Sequence, residues 1–79
     1  MSPTILRLGP YRFYFNSREE TRMHVHVEAG RGMAKFWLEP IVALAVYEHL
    51  DSGELRAIEQ TIQERQDEFR ARWRKHFSQ

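Results

Sequence analysis

The 79-residue chain contains no cysteine, so neither a disulfide framework nor a thiolate metal site is available to staple the fold. It has only four glycines and three prolines, too few for a repetitive or linker-like chain. No apolar run approaches the roughly 18 to 20 residues needed to cross a bilayer, and Met1-Ser2-Pro3-Thr4 lacks a basic segment followed by an apolar one. A cytoplasmic protein without membrane contact is expected. Gly30-Arg31-Gly32 lacks the spacing and the following helix of a phosphate-binding loop. The serines at 2, 17, 52 and 78 fall at ends, in a loop or at a helix cap, and none is placed as a nucleophile. Internal repeats and low-complexity tracts are absent as well.

What remains is one domain, 1–79, with room for one modest core. Net charge is +1, unevenly distributed. Residues 1–38 carry six basic side chains against three acidic, residues 39–64 one against six, and residues 65–79 five against two. The ends are basic and the middle acidic.

The organising stretch is Met23-His24-Val25-His26-Val27-Glu28, followed by Ala29-Gly30-Arg31-Gly32 and Met33-Ala34-Lys35-Phe36-Trp37-Leu38. In extended form, Met23, Val25 and Val27 share one face, and His24, His26 and Glu28 the other. The glycines mark a hairpin turn into a second strand, with Ala34, Phe36 and Leu38 on one face and Met33, Lys35 and Trp37 opposite. Upstream, Thr4 to Leu8 and Tyr11 to Phe15 read as two strands around Gly9-Pro10. Leu6, Leu8, Phe13 and Phe15 point to the core, and Ile5, Arg7, Arg12 and Tyr14 point outward. Residues 16–22 read as a solvated loop.

Residues 39–50 are expected to connect the strands to a helix. Their apolar run, Ile41 to Tyr47, is too short for periodicity to decide its state. Asp51-Ser52-Gly53-Glu54 has the spacing of a capping box and predicts a long helix over 51–77. Its stripe of Leu55, Ile58, Ile62, Phe69, Trp73 and Phe77 is interrupted at Arg65 and Gln66. Such a helix would overhang a small sheet, leaving Phe69, Trp73 and Phe77 to be covered by a homodimer or another partner. The fold class is therefore α+β: an antiparallel sheet of three to five strands packed by a long C-terminal helix.

Taken together, Pro3-Thr4-Ile5-Leu6-Arg7, Tyr11-Arg12-Phe13-Tyr14-Phe15, His24-Val25-His26-Val27, Ala34-Lys35-Phe36-Trp37-Leu38 with Pro40, and the closing Trp73 and Phe77 resemble a bacterial family of small proteins. It is the family catalogued as domain of unknown function DUF4160. Members commonly carry proline directly before the first histidine, where this chain has Met23. The resemblance implies a partner. Such proteins are often encoded beside a small protein of another uncharacterised family, numbered 2442, and the pairs have been proposed as toxin and antitoxin.

Two chemistries fit the polar face. His24 and His26, with Glu28 as a third ligand, have the donor types for a metal. Alternatively, Arg7, Arg12, Tyr14 and Trp37 could hold and stack RNA while His24, His26 and Lys35 serve a metal-independent cleavage that needs no cofactor. The leading expectation is a toxin-type protein that binds a cognate antitoxin and acts on RNA through this face. The alternative is a non-catalytic binding or regulatory module whose His-x-His strand is structural or metal-binding.

Overall fold

A computed structural model describes residues 4–16 and 22–77. Five strands, β1 (Thr4–Leu8), β2 (Tyr11–Tyr14), β3 (His24–Ala29), β4 (Gly32–Trp37) and β5 (Ala43–Glu48), precede two helices, α1 (Ser52–Glu64) and α2 (Gln66–Phe77). The strands lie in sequence order, each antiparallel to its neighbour. Both tight turns start on a left-handed glycine, Gly9 at φ 59° and Gly30 at φ 57°. Glycine adopts that conformation without steric cost, and a primed turn matches the twist of the flanking strands. Most of the polar stretch expected as a loop at 16–22 lies outside the described residues.

Alternation then decides the two faces of the sheet. Val25 pairs with Phe36, Val27 with both Ala34 and Phe13, and all five side chains are buried. Ile58 and Ile62 of α1 and Phe69 and Trp73 of α2 close the same core. The Phe13 and Phe69 rings lie 5.8 Å apart, and Phe15 meets Trp73 edge to face at 5.4 Å. Full burial of one such side chain is worth about 1.5–3 kcal/mol, so this layer outweighs any single surface contact. A register shift between Thr4 and Leu6 packs Ile5 against the core rather than outward.

The expected C-terminal helix is instead two helices. At Arg65 (φ −120°, ψ 18°) the amide is shared between the carbonyls of Thr61 (3.2 Å) and Ile62 (3.1 Å), and the helix restarts at Gln66. A straight helix over Ser52–Phe77 would run about 39 Å at 1.5 Å per residue, beyond the molecule's longest extent of 35 Å. The break brings Phe69 and Trp73 onto the chain's own sheet. Phe69 and Trp73 are buried in the chain's own core rather than overhanging it, and Phe77 alone of the three expected partner-binding residues is exposed.

The segment 39–50 is more than a connector, because β5 pairs along the outer edge of β4. Its strand state satisfies backbone groups of β4 that would otherwise lack protein partners. The capping box forms as the sequence predicts: the Glu54 amide donates to Asp51 Oδ1 (2.7 Å), and the Asp51 amide donates to Glu54 Oε1 (2.9 Å).

Candidate nucleic-acid interface on the open sheet face

Because the helices cover the valine face of β3, the intervening side chains line up on the opposite face in the order that strand register dictates. Tyr14 on β2 stands opposite His26 on β3, and His26 stands opposite Lys35 on β4. The Tyr14 and His26 rings stack 5.4 Å apart at 19°. One step along, His24 faces Trp37, and in the other direction Arg12 faces Glu28. The sequence-derived candidates Arg12, Tyr14, His26, Lys35 and Trp37 therefore form a continuous band over three strands. Arg7 extends it on β1, directly opposite Arg12.

Electrostatics hold the band in shape. Arg12 donates to Thr4 Oγ1 (2.6 Å), pairs with Glu28 (3.0 Å) and lies 4.4 Å from the Tyr14 ring centre. Directly opposed like charges destabilise a strand pair, so Glu28 offsets the repulsion between Arg7 and Arg12. Burial raises the Tyr14 phenol above its ordinary value; Glu28 adds to the rise and Arg12 opposes it. At neutral pH Tyr14 is therefore a proton-bearing donor. Arg22 and Lys35 both sit over the Trp37 ring, at 4.1 and 4.6 Å, as cations do over an aromatic quadrupole.

His24 departs from the expectation that both histidines face away from the helices. It is 2% exposed, with Trp73 of α2 at 4.9 Å, Trp37 at 5.9 Å and His26 at 5.1 Å between ring centres. The cause lies at the end of the sheet. Arg70 of α2 donates to the Leu38 carbonyl (2.9 Å), and the Leu38 amide donates to the Met23 carbonyl (2.9 Å), so α2 is tied where β3 begins. There the indole reaches the His24 ring. Its Nδ1 lies 2.7 Å from the Arg22 carbonyl, which can only accept, so Nδ1 carries the proton. His26 remains half-buried on the open face.

As a metal site, His24, His26 and Glu28 are drawn apart in their bonding: His24 binds a backbone carbonyl and Glu28 binds Arg12. Among the described residues no group of three or more histidine or carboxylate side chains is placed to hold a metal ion. A surface concavity beside Arg56, Glu59, Gln60, Gln63 and Glu64 belongs to α1, away from this band. Arg22 is the contributor that sequence reasoning missed, because it precedes β3 and strand alternation does not reach it. The hydrogen bond from its Nε to the Glu39 carbonyl (2.9 Å) positions it.

Architecture and site together define a small α+β domain: a five-stranded antiparallel meander with helices on one face and a basic, aromatic band on the other. The family model described as Domain of unknown function (DUF4160) matches residues 11–74, and the chain belongs to this family. No curated protein and no solved structure matches it. Among the described residues no helix is long and apolar enough to cross a membrane.

Proposed function

We propose that the chain is the toxin-type member of a two-protein system, acting on RNA in the cytoplasm through its open sheet face and restrained by a small antitoxin-type partner. The observation that carries this reading is the unbroken band of Arg12, Tyr14, His26, Lys35 and Trp37 across β2, β3 and β4. Stacking on Trp37 and charge from Arg12 and Lys35 suit an unpaired RNA segment, whose bases offer π-faces and whose phosphates offer negative charge. In a metal-independent cleavage, the RNA 2′-hydroxyl attacks the adjacent phosphorus to close a 2′,3′-cyclic phosphate, and the P–O5′ bond breaks as the 5′-oxygen takes a proton from water. His26 takes the hydroxyl proton, since imidazole ordinarily titrates near neutral pH, and Lys35 offsets phosphate charge.

A second reading, favoured by the burial of His24, is a binding module without catalysis. With His24 packed against Trp73, the open face keeps one half-buried imidazole rather than two. Expression with and without the neighbouring gene's product, followed by RNA analysis, distinguishes the readings. Growth arrest and cleaved RNA, both lost in His26→Gln and unaffected by chelator, support the toxin. RNA binding without cleavage supports the module. Absence of arrest, cleavage and RNA binding rejects both.

A further inference from the structure

The edge strand β5 is apolar and exposed on both of its faces. Leu44, Val46 and Tyr47 are 41%, 47% and 50% exposed, and no Lys, Arg or Pro lies within Ala43–Glu48. Basic side chains and proline guard many natural edge strands against pairing with another chain, and the opposite edge, β1, has Arg7 within it, whereas β5 has only its terminal Glu48 and an irregularity at Ala45. A helix laid on one face would leave the other wet. Only a strand added in the plane of the sheet contacts both faces.

We infer that this edge is a homodimer interface, in which β5 pairs antiparallel with β5 of a second copy. The irregularity in β5 makes the strand self-complementary. Tyr47 pairs with Ala34 and Leu44 with Phe36, so although three residues apart both lie on the helix-covered face. Ala43, paired with Trp37, and Glu48, paired with Met33, both lie on the open face. A twofold axis between Ala45 and Val46 then sets Leu44 of each copy against Tyr47 of the other, and Ala43 against Glu48. Both of these pairs match in face, as an isologous contact requires.

Charge agrees with this register. The two Glu48 carboxylates fall at opposite ends of the paired strands, not beside each other. Each comes two strand spacings, about 10 Å, from Trp37 of the other copy, over which the Arg22 guanidinium lies, and two long side chains span that gap. The acidic end of one β5 thus meets the cationic corner of the other sheet. The two sheets become one of ten strands.

Sedimentation equilibrium of the intact chain tests the interface without RNA, so its outcome is independent of the proposed function. Wild type is expected to be dimeric. Leu44→Lys or Tyr47→Glu alone places a charge against an apolar partner at both symmetry-related pairs and should yield monomers with unchanged circular dichroism. The double variant Leu44→Lys/Tyr47→Glu restores opposite charges across both pairs and should recover the dimer. In wild type, amide exchange of Ala43–Glu48 should slow as protein concentration rises. A monomeric wild type with concentration-independent exchange, dimers that survive either single substitution, or a double variant that stays monomeric would overturn the inference.

Discussion

A spacing of two on a strand puts His24 and His26 on the same side of the backbone, yet their surroundings give them separate work. His24 donates to the Arg22 carbonyl and lies against Trp73, so it joins the sheet end to α2. His26 stacks on Tyr14 in the middle of the open face. His24→Gln should therefore lower stability by about 1–3 kcal/mol in urea unfolding, through lost ring packing and a displaced buried donor. His26→Gln should leave the unfolding midpoint nearly unchanged while removing the proposed RNA cleavage. The reverse pattern would assign the chemistry to His24. Tyr14 supplies a second residue-scale test. Its folded pKa is raised mainly by burial, so the folded chain holds the phenolic proton more tightly than the unfolded chain. The stabilisation is fully present below the ordinary value near 10 and is lost as pH rises through the higher folded value. Ultraviolet titration should show a late-titrating phenol that Tyr14→Phe removes, with less alkaline loss of stability in that variant.

The β3–β4 hairpin was legible at the level of the element because two independent signals agree. Apolar residues alternate on both strands, and Gly30 marks the turn. The Asp51 cap was legible for a similar reason, since side-chain type and spacing both specify it. Neither β5 nor the break at Arg65 had such support. Ile41 to Tyr47 is apolar without a period, and what decides its state is the edge of β4, a partner distant in sequence. The interruption at Arg65 and Gln66 was visible in the apolar stripe, but the stripe does not say whether the backbone continues straight. The burial of His24 was beyond reach for the same reason, since it depends on where α2 crosses the sheet end. Gly32 shows how tightly the β5–α1 junction is built: a Cβ added there would lie 2.6 Å from the His49 carbonyl oxygen and would also collide with Leu50. Backbone cannot yield as a flexible side chain can. Gly32→Ala should lower the thermal midpoint, whereas Gly53→Ala, with only a 3.4 Å approach to Asp51 Oδ1, should lower it much less.

Across the whole molecule, the layered arrangement distributes an uneven charge sequence between a basic open face and two helices of opposite charge. The open face takes Arg7, Arg12 and Lys35 from the basic first half of the chain; on the helical side α1 takes Glu54, Glu59 and Glu64 from the acidic middle, and α2 takes Arg70, Arg72, Arg74 and Lys75 from the basic end. Under the proposed function an RNA strand would be drawn to the basic open face and repelled locally by α1, so the net charge of +1 understates the local fields it would meet. This asymmetry predicts a salt dependence. Each phosphate neutralised by a basic side chain on single-stranded nucleic acid contributes about −0.7 to the slope of log affinity against log salt. Arg12→Ala and Lys35→Ala should each make that slope shallower by roughly this amount, measured by fluorescence titration of an unstructured RNA over a range of salt concentrations. Trp37→Ala should weaken binding at every salt concentration and leave the slope nearly unchanged, because stacking releases no counterions. Arg56→Ala, on the α1 side, should alter neither quantity. Equal effects from Arg56 and Lys35 would mean that RNA follows net charge alone and that the open face is not its site.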